Sequence, residues 1–201
     1  ALFRYERVLH GGGLTGDELV EACSELILSA SGWRKVVAAD RDAESASASV
    51  RPVDLLLVAL MALVYERYYR VRFAESKQVV IAVGTDTRDT GPTLADVIIR
   101  VLTAQGVRVR YLFVAATPEI MAYVGRSSDV DGFIYVSASH NPRGHNGVKF
   151  GFGDGAVLGG DDAESVRELF RQTVHDYETP QTLLDLIRSA PSVALVYKAI
   201  E

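Results

Sequence analysis

The run "QVVIAVG" at residues 78–84 shows no polar alternation, and the polar stretch "TDTRDTGP" follows it at 85–92. Val79, Val80, Ile81, Ala82 and Val83 leave neither side of a strand to water, so such a strand must be covered on both faces. Downstream, Gly91 and Thr117 each precede a proline suited to the first turn of a helix. The pattern predicts helices over 92–105 and from 117 onward, with strands over 107–114, 131–136 and 147–152. Buried strands alternating with helices make an α/β protein, here a three-layer α/β/α sandwich with a mixed sheet.

The N-terminal third reads as less regular. The glycine-rich "HGGGLTG" at 10–16 precedes a short helix expected over 17–25, and an apolar piece then runs into "SASGWRKVV" at 29–37. After the linker "DAESASASVR" at 42–51, Pro52 opens a long helix. Its apolar run at 55–65 falls well short of the roughly 20 residues a membrane span needs, so a buried helix is expected and no membrane partner. Past residue 160 the chain reads as helix on both sides of a break at Thr179 and Pro180.

The 201 residues are 48% hydrophobic, enough for a core, and carry 21 Lys and Arg against 26 Asp and Glu. A net charge of −5 without clustered cations argues against a nucleic-acid partner, so any anion must be bound locally. Cys23 stands alone, which excludes an internal disulfide and a cysteine-built zinc site and makes a reducing cytoplasm the expected location. No basic segment with a short apolar run opens the sequence, so no signal peptide is expected.

Several stretches invite chemistry and fail on a specific point. "HGGGLTG" contains G-x-G-x-x-G, yet the charged "FRYERVL" before it is no buried strand, and a surface turn explains it better. Asp40/Asp42, Asp129/Asp131 and Asp161/Asp162 each lack the third carboxylate a hard cation would want on one loop. A serine hydrolase lacks its G-x-S-x-G elbow. The segment "SASHNPRGHNGVK" at 137–149 is richer, gathering Ser139, His140, Asn141, Asn146 and Lys149 directly after an apolar strand. Composition alone would allow an ordinary polar turn there.

The order of those residues resembles the active-site loop of the α-D-phosphohexomutases, the phosphoglucomutase and phosphomannomutase superfamily. Ser137 stands where threonine is commoner. "SGWRK" at 31–35 is similar to the family's Ser-Gly-x-Arg-Gly element with Lys35 in place of glycine, and "VGTDTRDTGP" at 83–92 to its Gly-x-Asp-x-Arg-x-Ser segment with Thr90 in place of serine. The later family motifs, a triple-aspartate metal loop, a sugar-reading loop and a phosphate-binding loop, do not occur in these 201 residues.

The resemblance implies that Ser139 carries a phosphoryl group between C1 and C6 of a hexose phosphate, with a hexose 1,6-bisphosphate as intermediate and activator. It implies that Arg34 and Lys149 lie near that group and that His140 and Lys149 are the candidates for proton transfer. Arg88, Asn141 and Asn146 support the loop. Mg²⁺ would meet the Ser139 phosphate together with carboxylates of a second domain. The expected division is an extension over 1–50 with the SGWR element, the main part of a first domain over 51–160, and a helical segment over 161–201 leading to further domains of the parent chain. These residues alone are expected to be inactive. The alternative is a catalytically silent phosphosugar-binding or interaction module of the same fold.

Overall fold

The computed structural model describes residues 14–29, 32–73, 78–176 and 178–190. In chain order the elements are α1 (Gly16–Ser24), β1 (Ile27–Ser29), β2 (Gly32–Val36), α2 (Pro52–Phe73), β3 (Val80–Thr85), α3 (Gly91–Ala104), β4 (Arg108–Val114), α4 (Thr117–Arg126), β5 (Gly132–Val136), β6 (His145–Phe152), α5 (Gly160–Val174) and α6 (Thr179–Ser189). The six strands form one sheet in the order β1-β2-β6-β5-β3-β4. β3 runs parallel to both β4 and β5, whereas β5–β6, β2–β6 and β1–β2 are antiparallel. This is the mixed sheet of a three-layer α/β/α fold.

Side chains alternate across each strand, and the two faces are unequally covered. Ile81, Val83, Ile134, Val136, Val148 and Phe150 point to one face and pack with α2, α3, α5 and α6 into the main core. Ala82, Phe133 and Tyr135 point to the other, where Ile120 and Val124 of α4 cover them. The apolar run of α2 is buried throughout, with Leu56, Ala59, Leu60, Ala62, Val64 and Tyr65 at 0% exposure. Among the described residues no helix is long and apolar enough to cross a membrane.

The stretches at 27–29 and 32–36, read above as less regular, form two strands of the same sheet. Short length and a polar composition hid them. Lys35, which no apolar pattern would place inside, is 4% exposed. Its ammonium lies 2.8 Å from Glu25 Oε2 and 2.8 Å from Asp54 Oδ1 and donates to the Ala22 carbonyl at 2.9 Å. Arg51 completes the network with two bonds to Asp54, at 2.6 and 3.1 Å. Charges this deep persist because each is paired and hydrogen-bonded, and here they fasten β2 to α1 and α2. The glycine-rich segment at 10–13, Ser31 and the chain beyond 190 lie outside the described residues.

Lys35→Met should destabilise the domain by about 3 kcal/mol in denaturant titrations at neutral pH, the low end for breaking a buried pair because Glu25 is partly solvated. The hydrogen bond from Lys35 is the main cause holding the Glu25 carboxyl below its ordinary value of 4.5. A depressed acid contributes stability that is complete above its unfolded value and is lost as pH falls through the folded one. Titrations from pH 7 to 3 should therefore show a loss beginning below about pH 4.5 that is shallower in Lys35→Met.

Candidate active site

β5 ends at Val136 and the chain must reverse to enter β6 at His145, beside it and antiparallel. The turn is built from short local bonds. Ser137 donates its N–H to the Gly147 carbonyl at 2.9 Å, which ties the loop's first residue to the returning strand. Asn141 donates to the Ala138 carbonyl twice, from its backbone N–H at 3.1 Å and from Nδ2 at 2.6 Å. Between them Ser139 takes a left-handed backbone, φ 59°, which residues with a Cβ rarely adopt. Ser139 and His140 are exposed at the crest of this turn.

Reversal leaves several loop carbonyls facing inward, and Arg88 meets them from the loop after β3. Its guanidinium donates to the carbonyls of Ser139 (3.0 Å), Asn141 (2.6 Å) and His145 (3.0 Å) and also to that of Pro142. Asp86 Oδ2 accepts from Arg88 Nε at 3.1 Å and so aims the fork. Two residues beyond Arg88, Thr90 Oγ1 accepts from Asn146 Nδ2 at 2.9 Å. The "TDTRDT" segment therefore spends Asp86, Arg88 and Thr90 on one job, bracing the serine loop and the start of β6.

The face of β2 and β6 beside α4 carries the rest. An open cleft, about 380 Å³ with the solvent at its mouth included, is lined by Gly32, Arg34, Ser137, Ala138, Ser139, His140, Asn141 and Lys149. Arg34 pairs with Gly147 across β2–β6, and the two strands approach so closely there that a Cβ on Gly147 would lie 2.2 Å from the Trp33 carbonyl oxygen. Gly32 leaves room for the Lys149 side chain, since a Cβ there would meet Lys149 Cγ at 3.0 Å. Arg34 Nη1 reaches Ser29 Oγ at 3.4 Å, while its buried Nε has no hydrogen-bond partner among the described residues. Burial pushes the Lys149 ammonium below its ordinary value, Asp86 raises it and Arg34 lowers it.

Of the residues expected from the sequence, Arg34, Ser139, His140, Asn141 and Lys149 meet in this cleft. Arg88 stands behind the loop. Asn146 lies on the opposite face of β6 at 0% exposure, three positions from Lys149 and so of opposite parity. Gly32, Ser137 and Asp86 are additions. Each stands within one of the three motifs quoted from the sequence, Gly32 in "SGWRK", Asp86 in "VGTDTRDTGP" and Ser137 at the head of "SASHNPRGHNGVK", and that membership was the signal for them. Among the described residues no three His, Cys, Asp or Glu side chains gather to hold a metal ion. With two cations, two hydroxyls, an imidazole and an amide, the cleft suits an anion and does not by itself fit Mg²⁺.

Residues 26–176 match the family described as phosphoglucomutase/phosphomannomutase, alpha/beta/alpha domain I. The chain belongs to that family, as its domain I. It is 39% identical over 107 residues to a phosphoglucosamine mutase of Lactiplantibacillus plantarum, covering 52% of this chain and 24% of the relative. A phosphoglucosamine mutase of Staphylococcus saprophyticus is 34% identical over 116 residues, or 58% of this chain and 26% of the relative. The chain thus spans about a quarter of the length of these curated relatives. A crystal structure from Thermus thermophilus, described as a phosphomannomutase, shares the fold with a TM-score of 0.56 and 23% identity over 72% of this chain and 30% of that one.

In this phosphohexomutase domain Arg88 is the brace to test. Hydrogen bonds from a charged donor are worth about 1.5–3 kcal/mol each, and exposed carbonyls recover part of that from water. Arg88→Ala should lower stability by about 2 kcal/mol and speed amide exchange across 138–145, leaving exchange in α2 protected. Arg88→Lys should fail to restore the loop, because an ammonium cannot fork to carbonyls on both sides.

Proposed function

We propose that this domain supplies the phosphoryl-carrying serine of a phosphohexomutase. The observation that carries the reading is the placement of an exposed, left-handed Ser139 hydroxyl in the same cleft as Arg34 and Lys149, two cations delivered by different strands. Phosphoryl transfer asks little covalent work of a protein beyond the nucleophile, and positioning with charge stabilisation supplies most of the rate.

In the proposed step Ser139 Oγ attacks the phosphorus of a hexose 1,6-bisphosphate. The Oγ–P bond forms as the bond from phosphorus to the sugar oxygen breaks. The hydroxyl proton of Ser139 is lost, and the departing sugar oxygen gains one. Lys149 and His140 are the groups within the cleft able to move these protons, while Arg34 and the Lys149 charge balance the equatorial oxygens. Phosphorylated Ser139 then gives its phosphoryl group to the free hydroxyl of a hexose monophosphate, regenerating the bisphosphate, and takes back the phosphoryl from that sugar's other position, so the net result moves phosphate between C1 and C6. Arg88, Asn141 and Asn146 hold the loop and strand that present Ser139.

The cycle as proposed needs more than these residues. Mg²⁺ requires carboxylate oxygens that the cleft lacks, so its ligands in this reading come from other domains of the parent chain, as do the contacts that recognise the sugar. Residues 1–201 alone should bind phosphosugar weakly and not turn over. Curated relatives named phosphoglucosamine mutase bring a hexosamine phosphate into the substrate class beside glucose and mannose phosphates. The reading also keeps a cytoplasmic site of action, for which the lone Cys23 is the support.

Incubated with glucose 1,6-bisphosphate, the parent chain should gain the mass of one phosphate, localised to Ser139 by peptide mapping and absent in Ser139→Ala. Lys149→Ala should fold normally and lower the transfer rate about 100- to 1,000-fold, as loss of one transition-state contact does. A parent chain that binds phosphosugar but never acquires the phosphate would favour the silent module. Coupled assays with glucose, mannose and glucosamine phosphates would rank the substrates.

A further inference from the structure

Ser139 is held in its left-handed conformation from two directions. Its carbonyl accepts from Arg88 Nη2 at 3.0 Å, and its N–H donates to Ser137 Oγ at 3.0 Å. Both ends of the residue are therefore fixed, leaving rotation about its own Cα–Cβ bond as the freedom of the hydroxyl. Ser137 is itself buried, at 6% exposure, and its N–H is committed to the Gly147 carbonyl at 2.9 Å. Its hydroxyl has a proton to give as well as a lone pair to receive with.

Tyr135, two positions before Ser137, donates its hydroxyl to the Ala115 carbonyl at 2.7 Å, so its own proton is committed to the backbone before α4. The placement of the Ser139 amide rests on Ser137 Oγ, which accepts its N–H.

We propose that Ser137 is a positioning residue for phosphoryl transfer at Ser139, its hydroxyl holding the Ser139 amide turned back toward the sheet so that Oγ stands out into the cleft. A group with a hydroxyl on Cβ is required at 137, and serine or threonine will serve. The Ser139 N–H, occupied by Ser137, is not a ligand of the transferring phosphate. The inference rests on the reading of Ser139 as phosphoryl acceptor. Without Ser137 Oγ the amide loses its acceptor, and the Ser139 backbone relaxes toward the commoner right-handed region, carrying Oγ off line. A displacement of about 1 Å can cost about 100-fold in rate without any loss of a reacting group.

The test uses the parent chain and glucose 1,6-bisphosphate, following the rate of phosphate gain at Ser139 by intact mass. Ser137→Thr should transfer within a few-fold of the parent. Its isostere without the hydroxyl, Ser137→Val, and the smaller Ser137→Ala should each be slowed about 100-fold, with little change in half-saturation by the bisphosphate. The Ser139 amide should exchange faster in Ser137→Ala and Ser137→Val than in Ser137→Thr. Equal transfer rates in Ser137→Thr and Ser137→Val would overturn the proposal, as would unchanged exchange of the Ser139 amide. If Ser137→Ala does not fold, the isosteric pair decides. A parent that takes no phosphate at Ser139, with the amide still protected by Ser137, would instead sink the acceptor reading and the positioning role with it.

Discussion

A single guanidinium facing the inward carbonyls of a reversing loop is the contact on which the site depends. An antiparallel return between neighbouring strands leaves backbone oxygens that neither strand can pair, and burying them unpaired would cost on the order of 1–3 kcal/mol each. Arg88 meets four carbonyls of this turn, of which only that of Pro142 is also paired by β6, through the His145 N–H at 3.1 Å, and is aimed by Asp86. A planar fork with five donors can do this, whereas one ammonium could not reach oxygens on both sides. Because the Ser139 carbonyl is among the four, the brace reaches directly to the crest of the turn.

The location of the cleft follows from strand order. β3 sends its crossover through α3 to β4 on one face, and β4 returns through α4 to β5 on the other, so the loops after β3 and β5 separate at neighbouring carboxyl ends. Open α/β sheets place ligands at such a switch point. β2 and β6 then widen the sheet on the β5 side. Their alternation divides adjacent residues between two jobs, with Trp33, Lys35, Val148 and Phe150 in or against the main core and Arg34 and Lys149 in the cleft. The buried Lys35 network is thus coupled through one strand to the placement of Arg34. Shifting β2 by one residue would exchange the two cations.

What was legible in the sequence was whatever repeats at short range. The run at 79–83 announced a sheet covered on both faces, and Pro92 and Pro118 marked helix starts to within a residue of where α3 and α4 begin. Two separated motifs named Arg34, Ser139 and Lys149, which the fold brings into one cleft, and a third named Arg88, which stands behind the loop. The antiparallel strands at 27–29 and 32–36 were not legible, because a three-residue and a five-residue strand give little periodicity and the second buries a lysine. Asn146 groups with the loop by proximity in sequence, yet its side chain turns to the start of α3. Parity along β6 would have separated it from Lys149. The left-handed Ser139 and its bond to Ser137 depend on backbone angles that residue order does not express.

The charge balance in the cleft gives the proposed chemistry a direction. In the free domain, burial and the neighbouring Arg34 both disfavour the charged form of Lys149, and Asp86 works against them. An incoming phosphate adds negative charge beside the same ammonium, which favours the charged form. In the proposed step the proton affinity of Lys149 would therefore rise as substrate arrives, in the sense required to take up the proton of the serine hydroxyl. Partial burial beside Arg34 lowers the proton affinity of Lys149 relative to a lysine in open water, the direction the proposed proton-carrying role calls for, and Gly32, by leaving space along the lysine stem, permits that burial.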